Sequence, residues 1–170
     1  MKLSDKGICL LKQLEGCVKY GNKHVVYDDK TGKPVNINKI LPRGATIGYG
    51  HLINSGEDFR NGITEKQATA ILLSDIAIAE RAIKNTINVN LLQHQYDALV
   101  IFAYNIGIQN FVNSTVVKYV NNPNFKSSKY PTLKSAWMAW NKSGGREIAG
   151  LTNRRNTEFT LFTNGSIGEY

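Results

Sequence analysis

Thr46-Ile47-Gly48-Tyr49-Gly50-His51 is the most informative stretch of this 170-residue chain. Two β-branched residues followed by glycines at alternate positions predict a short strand that ends in a sharp turn. Two acidic segments, Glu15-Gly16 and Tyr27-Asp28-Asp29, precede it. Two acids in different surroundings, followed by a threonine on a Gly-rich turn, indicate one assembled polar site in the N-terminal part of the chain.

Helix and strand patterns surround this stretch. Residues 3–14 predict a short amphipathic helix that ends at Glu15, with Gly16 as its C-terminal stop. Residues 17–53 predict a small antiparallel sheet with a loop around residues 36–44. Its strands are expected at 25–27, 33–35 and 45–49. Further helices are predicted at 64–86, which begins with a Thr64–Gln67 capping box, and at 91–106, 114–121, 132–142 and 150–162.

Together these elements predict an α+β fold in a single domain. Residues 1–63 would form a mixed lobe that carries the site, 64–86 a linking helix, 87–162 a helical lobe and 163–170 a tail. A cleft between the two lobes is expected, because polar substrates commonly bind in such places. A hydrophobic content of 42% and a charged content of 20% are typical of a globular protein rather than a disordered one.

The net charge of +8 is spread over both ends of the chain. Residues 1–60 hold 10 Lys and Arg against 6 Asp and Glu, and residues 125–170 hold 7 against 3. Residues 61–124 are balanced at 4 against 4. This distribution suits a polyanionic partner, such as nucleic acid, anionic lipid or an acidic wall polymer, and equally suits a role in solubility alone.

Cysteine usage and the N-terminus give further expectations. Cys9 and Cys17 would lie roughly 12 Å apart along a helix, too far for a disulfide. Cys9 is expected to be a buried small apolar residue. For Cys17, a role as a reactive thiol near the site is the less favoured interpretation. The apolar segment 8–11 is too short for a signal peptide, and no run approaches the length of a membrane span. Another component would then deliver the protein to any substrate outside the cytoplasm.

Glu15 and Asp29 are the candidate pair of catalytic carboxylates. Glycosidic cleavage is one reaction that uses such a pair, because it needs one protonated acid and one ionised carboxylate. A helix C-terminus disfavours negative charge, so Glu15 suits the acid, whereas Asp29 on a polar turn suits the ionised group. Thr46 could hold a water with Asp29. Each residue also has an ordinary structural interpretation: a surface glutamate, a turn aspartate and a β-branched strand residue.

His51 is interpreted as a structural residue. A metal site is not expected, because the other histidines and the cysteines do not share a ligand spacing with it. Asp75 lies one helical step outside the apolar stripe of the predicted helix 64–86, so it is the best candidate for an acidic partner of His51.

The order Glu-Gly, Tyr-x-Asp, Thr-Ile-Gly-x-Gly-His resembles the phage-type lysozymes of glycoside hydrolase family 24. The resemblance continues through Tyr104-Asn105-Ile106-Gly107, the two tryptophans Trp137 and Trp140, and the segment 150–158. Similar segments therefore run in order from about Leu10 to Phe159.

This resemblance implies a lysozyme-like fold and a muramidase. The enzyme would hydrolyse the bond between N-acetylmuramic acid and N-acetylglucosamine in bacterial peptidoglycan with inversion and without a cofactor or metal. It implies Glu15 as general acid, with Asp29 and Thr46 holding the water. It also implies residues that line the sugar sites, Leu52, Tyr104 and Ser114, and a structural His51–Asp75 pair. Tyr104 has a core aromatic as its alternative, and Arg154 either neutralises charge near the cleft or is a solvated helix arginine.

Two features depart from the family pattern. Residues Lys33–Arg43 are interpreted as an insertion in the hairpin next to the site, which either shapes substrate choice or only extends a loop. Asp28 stands beside Asp29 and would point the other way on a strand. The family pattern favours Asp29, and Asp28 stays an alternative.

Other functions remain as competing hypotheses. A lytic transglycosylase would need Glu15 but no second carboxylate. A non-catalytic peptidoglycan-binding module of a larger phage-tail or secreted assembly is a second alternative, and a nucleic-acid binder is disfavoured because no recognition motif is present. The favoured interpretation is a monomeric endolysin without a membrane anchor, held in the host cytoplasm until a holin releases it to the wall. A domain cut from a larger injected protein fits the sequence equally well.

Overall fold

The computed structural model describes residues 1–166 of the chain. The helices are α1 (Asp5–Glu15), α2 (Glu65–Thr86), α3 (Gln93–Ile106), α4 (Ile108–Val112), α5 (Thr115–Asn121), α6 (Leu133–Met138) and α7 (Ala149–Asn164). The strands are β1 (Lys19–Tyr20), β2 (Lys23–His24), β3 (Tyr27–Asp28), β4 (Lys33–Pro34), β5 (Ala45–Ile47), β6 (His51–Leu52), β7 (Lys142–Ser143) and β8 (Arg146–Glu147). This mixture confirms the predicted α+β class.

The chain divides into two compact units. Leu10–Ala77 forms the first, here called the strand unit. Met1–Cys9 and the chain from Ile78 onward form the second, here called the helical unit. The long helix α2 contributes residues to both, as α1 does.

The two helices that begin and end near the site have the predicted terminal signals. The backbone N–H of Gly16 donates to Lys12 O at 3.0 Å, and Gly16 has a φ of 65°, which ends α1 after Glu15. At the start of α2, Thr64 N donates to Gln67 Oε1 at 2.8 Å and Gln67 N donates to Thr64 Oγ1 at 3.2 Å. The predicted capping box is therefore confirmed.

The sheet of the strand unit is antiparallel, with the order β4-β3-β5-β6. Tyr27 on β3 pairs with Thr46 on β5, and Thr46 pairs on its other side with Leu52 on β6. The turn from β5 to β6 needs glycine at Gly48, which has a φ of 63° and whose missing Cβ would lie 3.4 Å from Ala68 Cβ of α2. The Gly-rich stretch thus brings a strand end close to a helix.

The helical unit is built around α3. Eight consecutive residues of this helix, from Tyr96 to Ala103, are buried. The helix packs against α7, and the fully buried Trp137 of α6 lies with its ring centroid 4.6 Å from that of Phe102. This continuous burial explains why residues 98–103 are all apolar.

Several predicted boundaries are wrong. The helix predicted at 132–142 ends at Met138, because the chain turns back at Gly144-Gly145 into the β7–β8 hairpin. Helix α7 extends to Asn164, so the first two residues of the predicted tail are helical; its residues 167–170 lie outside the described part of the chain. Helix α4 and the hairpin β1–β2 were not predicted.

Cys9 was expected to be buried, but it is exposed in the folded chain. It lies on the face of α1 opposite to Leu10 and Leu11, which are buried. The short apolar run 8–11 does not distinguish the two faces, because four residues cover a full helical turn.

Candidate functional site

Glu15 is the last residue of α1 and is half-buried. The turn at Gly16 then leads the chain towards β1. This position at a helix C-terminus is the one expected from the sequence.

Tyr27 brings the candidate residues into one neighbourhood. Its side chain is buried, and burial first, followed by the negative charges of Asp29 and Glu15, raises the pKa of Tyr27 to about 12. Such charge effects reach over roughly 10 Å, so both carboxylates lie within that range of the Tyr27 hydroxyl. Thr46 is the direct cross-strand partner of Tyr27. Glu15, Asp29 and Thr46 are therefore grouped around one tyrosine in the strand unit.

The neighbouring aspartates have different surroundings. Asp28 is half-buried, and its Oδ1 accepts from Lys30 N at 2.8 Å and from Thr31 N at 3.0 Å. This carboxylate therefore closes the turn after β3, as an aspartate commonly does. Asp29 is exposed, and its backbone N–H reaches Gly44 O at 3.4 Å. Asp29 is thus the carboxylate presented to solvent.

Thr46 is almost completely buried, with 2% of its surface exposed. Its Oγ1 donates to Gly44 O at 3.0 Å, the same carbonyl that Asp29 N approaches. The hydroxyl hydrogen is therefore occupied, and its oxygen lone pairs remain able to accept from a water molecule. Gly44 couples the threonine and the aspartate through one carbonyl.

His51 lies between two carboxylates. Its Nδ1 is 2.8 Å from Asp75 Oδ2 of α2, and its Nε2 is 3.1 Å from Glu57 Oε2. Burial lowers the pKa of His51, but hydrogen bonds to Asp75 and Glu57 outweigh burial and raise the pKa above its ordinary value. Glu57 was missed from the sequence, because it follows a turn with no periodic pattern.

This arrangement makes a pH-dependent contribution to stability. Because the pKa of His51 is raised from 6.5 on folding, the charged ring stabilises the fold below about pH 6.5, and this contribution is lost as pH rises through the folded pKa. We expect His51→Gln to lower the free energy of unfolding by on the order of 1 kcal/mol near pH 5.5 and by less near pH 9. Urea unfolding at several pH values measures this. Asp75→Asn should remove part of this pH dependence, since Glu57 still pairs with the ring, and an equal effect of His51→Gln at both pH values would contradict the prediction.

A second polar cluster centres on Glu65 in the first turn of α2. Its carboxylate accepts from Tyr49 Oη at 2.6 Å, Lys12 Nζ at 3.0 Å and Lys19 Nζ at 2.9 Å, and lies 2.8 Å from Nε2 of the buried His24. Burial raises the pKa of Glu65, but these hydrogen bonds outweigh burial and hold it well below its usual range. The cluster ties α1 and the hairpin β1–β2 to α2, and so positions the helix that carries Glu15. No local pattern in the sequence indicated it.

The other sequence-predicted residues lie in both units. Leu52 is 55% exposed on β6 of the strand unit. Tyr104 is half-buried on α3 of the helical unit. Ser114 is buried and caps α5, with its Oγ accepting from Val117 N at 3.2 Å. Arg154 is buried, and its Nε donates to Glu158 Oε1 at 3.0 Å. The alternative of a solvated helix arginine is therefore wrong.

Residues 1–166 contain no group of three or more His, Cys, Asp or Glu side chains arranged to hold a metal ion. Within the same residues, no helix is both long and apolar enough to cross a membrane.

Known proteins resemble this chain in sequence. The phage lysozyme family model matches residues 12–158. The endolysin of Bacillus phage PZA is 35% identical over 166 residues, which cover 98% of this chain and 57% of the relative. The endolysin of Salmonella phage P22 is 32% identical over 165 residues, covering 95% of this chain and 98% of the relative. The chain thus spans only somewhat more than half the length of the Bacillus phage relatives, 57% for PZA and 55% for B103.

Solved structures resemble it in fold. The muramidase domain of SpmX from Asticaccaulis excentricus has a TM-score of 0.73 and 30% identity, covering 96% of this chain and 98% of that one. The endolysin of the Escherichia coli O157:H7 phage FAHEc1 has a TM-score of 0.72 and 30% identity, covering 99% and 98%. Both similarities extend over nearly the whole chain.

Proposed function

This chain belongs to the phage lysozyme family, and we propose on that basis that it is a muramidase. Its substrate is bacterial peptidoglycan, and the bond hydrolysed is the β-1,4 bond between N-acetylmuramic acid and N-acetylglucosamine. The observation that carries this proposal is the grouping of Glu15, Asp29 and Thr46 around Tyr27. Relatives named endolysins and a structural neighbour named a muramidase domain support the reaction class.

The proposed reaction uses two groups of different character. Glu15 gives its proton to the oxygen that leaves the muramic acid ring, which removes the cost of expelling an alkoxide. Asp29 and Thr46 hold a water molecule that attacks the opposite face of the ring, so the anomeric configuration is inverted. Asp29 takes the proton that the water loses as it attacks, and Thr46 Oγ1 accepts the other hydrogen of the water in a hydrogen bond, because the Thr46 hydroxyl hydrogen is already donated to Gly44 O. Leu52, Tyr104 and Ser114 are proposed to contact the sugars.

The choice of Asp29 over Asp28 follows from their surroundings. Asp28 Oδ1 is occupied by two backbone N–H groups of the turn, whereas Asp29 is exposed beside the water-holding threonine. An asparagine at position 28 can accept the same two hydrogen bonds, so this position offers a matched control for the charge at position 29.

Product analysis tests the reaction. Purified peptidoglycan is digested by wild type, Asp29→Asn and Asp28→Asn, and the soluble fragments are identified by mass spectrometry. We expect reducing muramic acid ends from wild type and Asp28→Asn, and a loss of roughly 10²-fold or more in rate for Asp29→Asn. Early NMR spectra of the products should show the inverted anomer.

Two results would redirect the proposal. Anhydro-muramic ends, with full activity of Asp29→Asn, would identify a lytic transglycosylase. Binding to the wall without any soluble fragment would identify a non-catalytic peptidoglycan-binding module.

The proposed partner is peptidoglycan, with a monomer as the active form. We propose that the protein reaches the wall from the host cytoplasm through a holin, in keeping with the relatives named endolysins. Size-exclusion chromatography with light scattering tests the monomer. Lysis that occurs on expression without a holin would contradict the export route.

A further inference from the structure

A long segment of the helical unit lacks acidic residues. No Asp or Glu occurs from residue 98 to residue 146, although this segment carries six basic residues: Lys118, Lys126, Lys129, Lys134, Lys142 and Arg146. Four of them fall within residues 118–134, on α5 and on the chain between α5 and the start of α6. The positive charge of this region is therefore not balanced along the chain.

The positive charges of these four lysines are not neutralised by acidic side chains in the folded structure either. All four are exposed, and none of them forms an ion pair within residues 1–166. Three lie near aromatic rings, with Nζ-to-centroid distances of 6.0 Å for Lys118 and Phe125, 5.2 Å for Lys129 and Tyr130, and 6.0 Å for Lys134 and Phe159. By contrast, Lys12 and Lys19 of the strand unit both pair with Glu65. These four lysines, here called the lysine cluster, leave their charges available to a ligand.

A groove of about 990 Å³ opens beside the lysine cluster. Its lining is mainly apolar and includes Leu91, Tyr119, Pro123, Phe125, Pro131 and Leu133, with Lys126 among the lining residues. Tyr119 Oη donates to Tyr130 O at 2.6 Å, and the ring of Phe125 meets that of Tyr119 at 83° with centroids 5.1 Å apart. These contacts hold the wall of the groove in place. The groove belongs entirely to the helical unit.

We propose that the groove and the lysine cluster bind a polyol-phosphate polymer of the cell wall, of the teichoic acid class. The ligand must be a polyanion, because several unpaired ammonium groups lie within one short segment. It must also carry uncharged parts between its charges, because Lys126 lines a largely apolar groove. A poly(glycerol phosphate) chain meets both needs, since its phosphates can contact lysines while the carbons of its polyol pack on the proline and leucine side chains of the groove.

Other polyanions fit less well. Single-stranded nucleic acid binds by stacking its bases on open aromatic faces, but Phe125 and Tyr130 already lie beside lysine ammonium groups. An anionic membrane needs apolar side chains that project into the lipid, whereas the apolar residues here line a concave surface. The proposal goes beyond the proposed hydrolysis, because it concerns retention on the wall and no bond is broken.

A charge-matched pair of variants tests the proposal. The first replaces the cluster: Lys118→Gln, Lys126→Gln, Lys129→Gln and Lys134→Gln. The control replaces four other exposed lysines: Lys6→Gln, Lys39→Gln, Lys66→Gln and Lys84→Gln. Each variant loses four positive charges, and thermal unfolding checks that both variants fold. The full-length chain is titrated with purified poly(glycerol phosphate) at about 0.15 M NaCl, where distant charges are screened.

We expect the cluster variant to bind the polymer about tenfold or more weakly than wild type, and the control variant to stay within about twofold. Wild-type binding should weaken steeply with added salt. Equal losses in the two variants would overturn the proposal in favour of diffuse attraction. Tighter binding to single-stranded DNA, to anionic vesicles or to a poly-glutamate peptide would also overturn it. Because the polymer contains no muramic acid linkage, a failed titration leaves the hydrolase proposal untouched, and a failed digestion leaves this one untouched.

Discussion

Glu15→Gln should reduce the rate of peptidoglycan hydrolysis by roughly 10²–10⁴-fold while the fold is retained. Glutamine has nearly the same shape as glutamic acid but cannot give a proton to the leaving oxygen. Glu15 is the last residue of α1 and is half-buried, so the substitution changes neither the helix interior nor a buried core position. The release of reducing ends from purified peptidoglycan measures the rate, and far-UV circular dichroism checks the fold.

Glu147→Gln is the matched control for this result. Glu147 is an exposed glutamate on β8 of the helical unit, so the same chemical change is made at a residue with no proposed role in the reaction. Its rate should stay within about twofold of wild type, as is usual for a surface substitution. A Glu15→Gln protein with more than about a tenth of the wild-type rate would remove Glu15 from the acid role.

Glu158→Ala should give the largest loss of stability, about 3–5 kcal/mol in the free energy of unfolding. Glu158 is completely buried, and its carboxylate accepts from Arg154 Nε at 3.0 Å, Arg155 Nη2 at 2.9 Å and Trp137 Nε1 at 3.1 Å. Burial raises the pKa of Glu158 and the two guanidinium groups oppose that rise. Removing the carboxylate leaves two buried cations without their shared anion and also opens a cavity beside Trp137.

Urea unfolding followed by Trp fluorescence measures this effect. Glu147→Ala is the control, because it removes an exposed carboxylate and should change stability by no more than about 0.5 kcal/mol. A loss of less than about 1 kcal/mol for Glu158→Ala would show that the two arginines find other partners. The helical unit would then not depend on the Glu158 carboxylate for its stability.

Much of the local structure could be predicted from the sequence. The helix 64–86 was predicted within one residue of α2, because a capping box and an apolar stripe both lie within a few positions along the chain. The end of α1 at Glu15 was predicted from Gly16 for the same reason. The hairpin β7–β8 was missed although Gly144-Gly145 marks it, because helical spacing of the preceding apolar residues was extended past Met138.

The candidate site was only partly predictable. The family resemblance named Glu15, Asp29 and Thr46, and Asp75 was proposed as the partner of His51. The role of Asp28 could not be obtained in this way, because the two aspartates are adjacent and differ only in the hydrogen bonds that the folded turn provides. Glu57 and Glu65 were missed, since each contacts its partners through residues that carry no local signal.

The sequence by itself determined where α1 ends, where α2 begins and ends, and the order of the acid, aspartate and threonine along the chain. These properties depend on residues within one or two turns of each other. Apart from the His51–Asp75 pair, the tertiary structure decided which distant charges are paired. It brings Glu65 to His24 across 41 positions and to Lys12 across 53 positions, and leaves the lysine cluster without an acid. Charge pairing and burial depend on distance in space, so side chains far apart in the chain settle them only when the fold is complete.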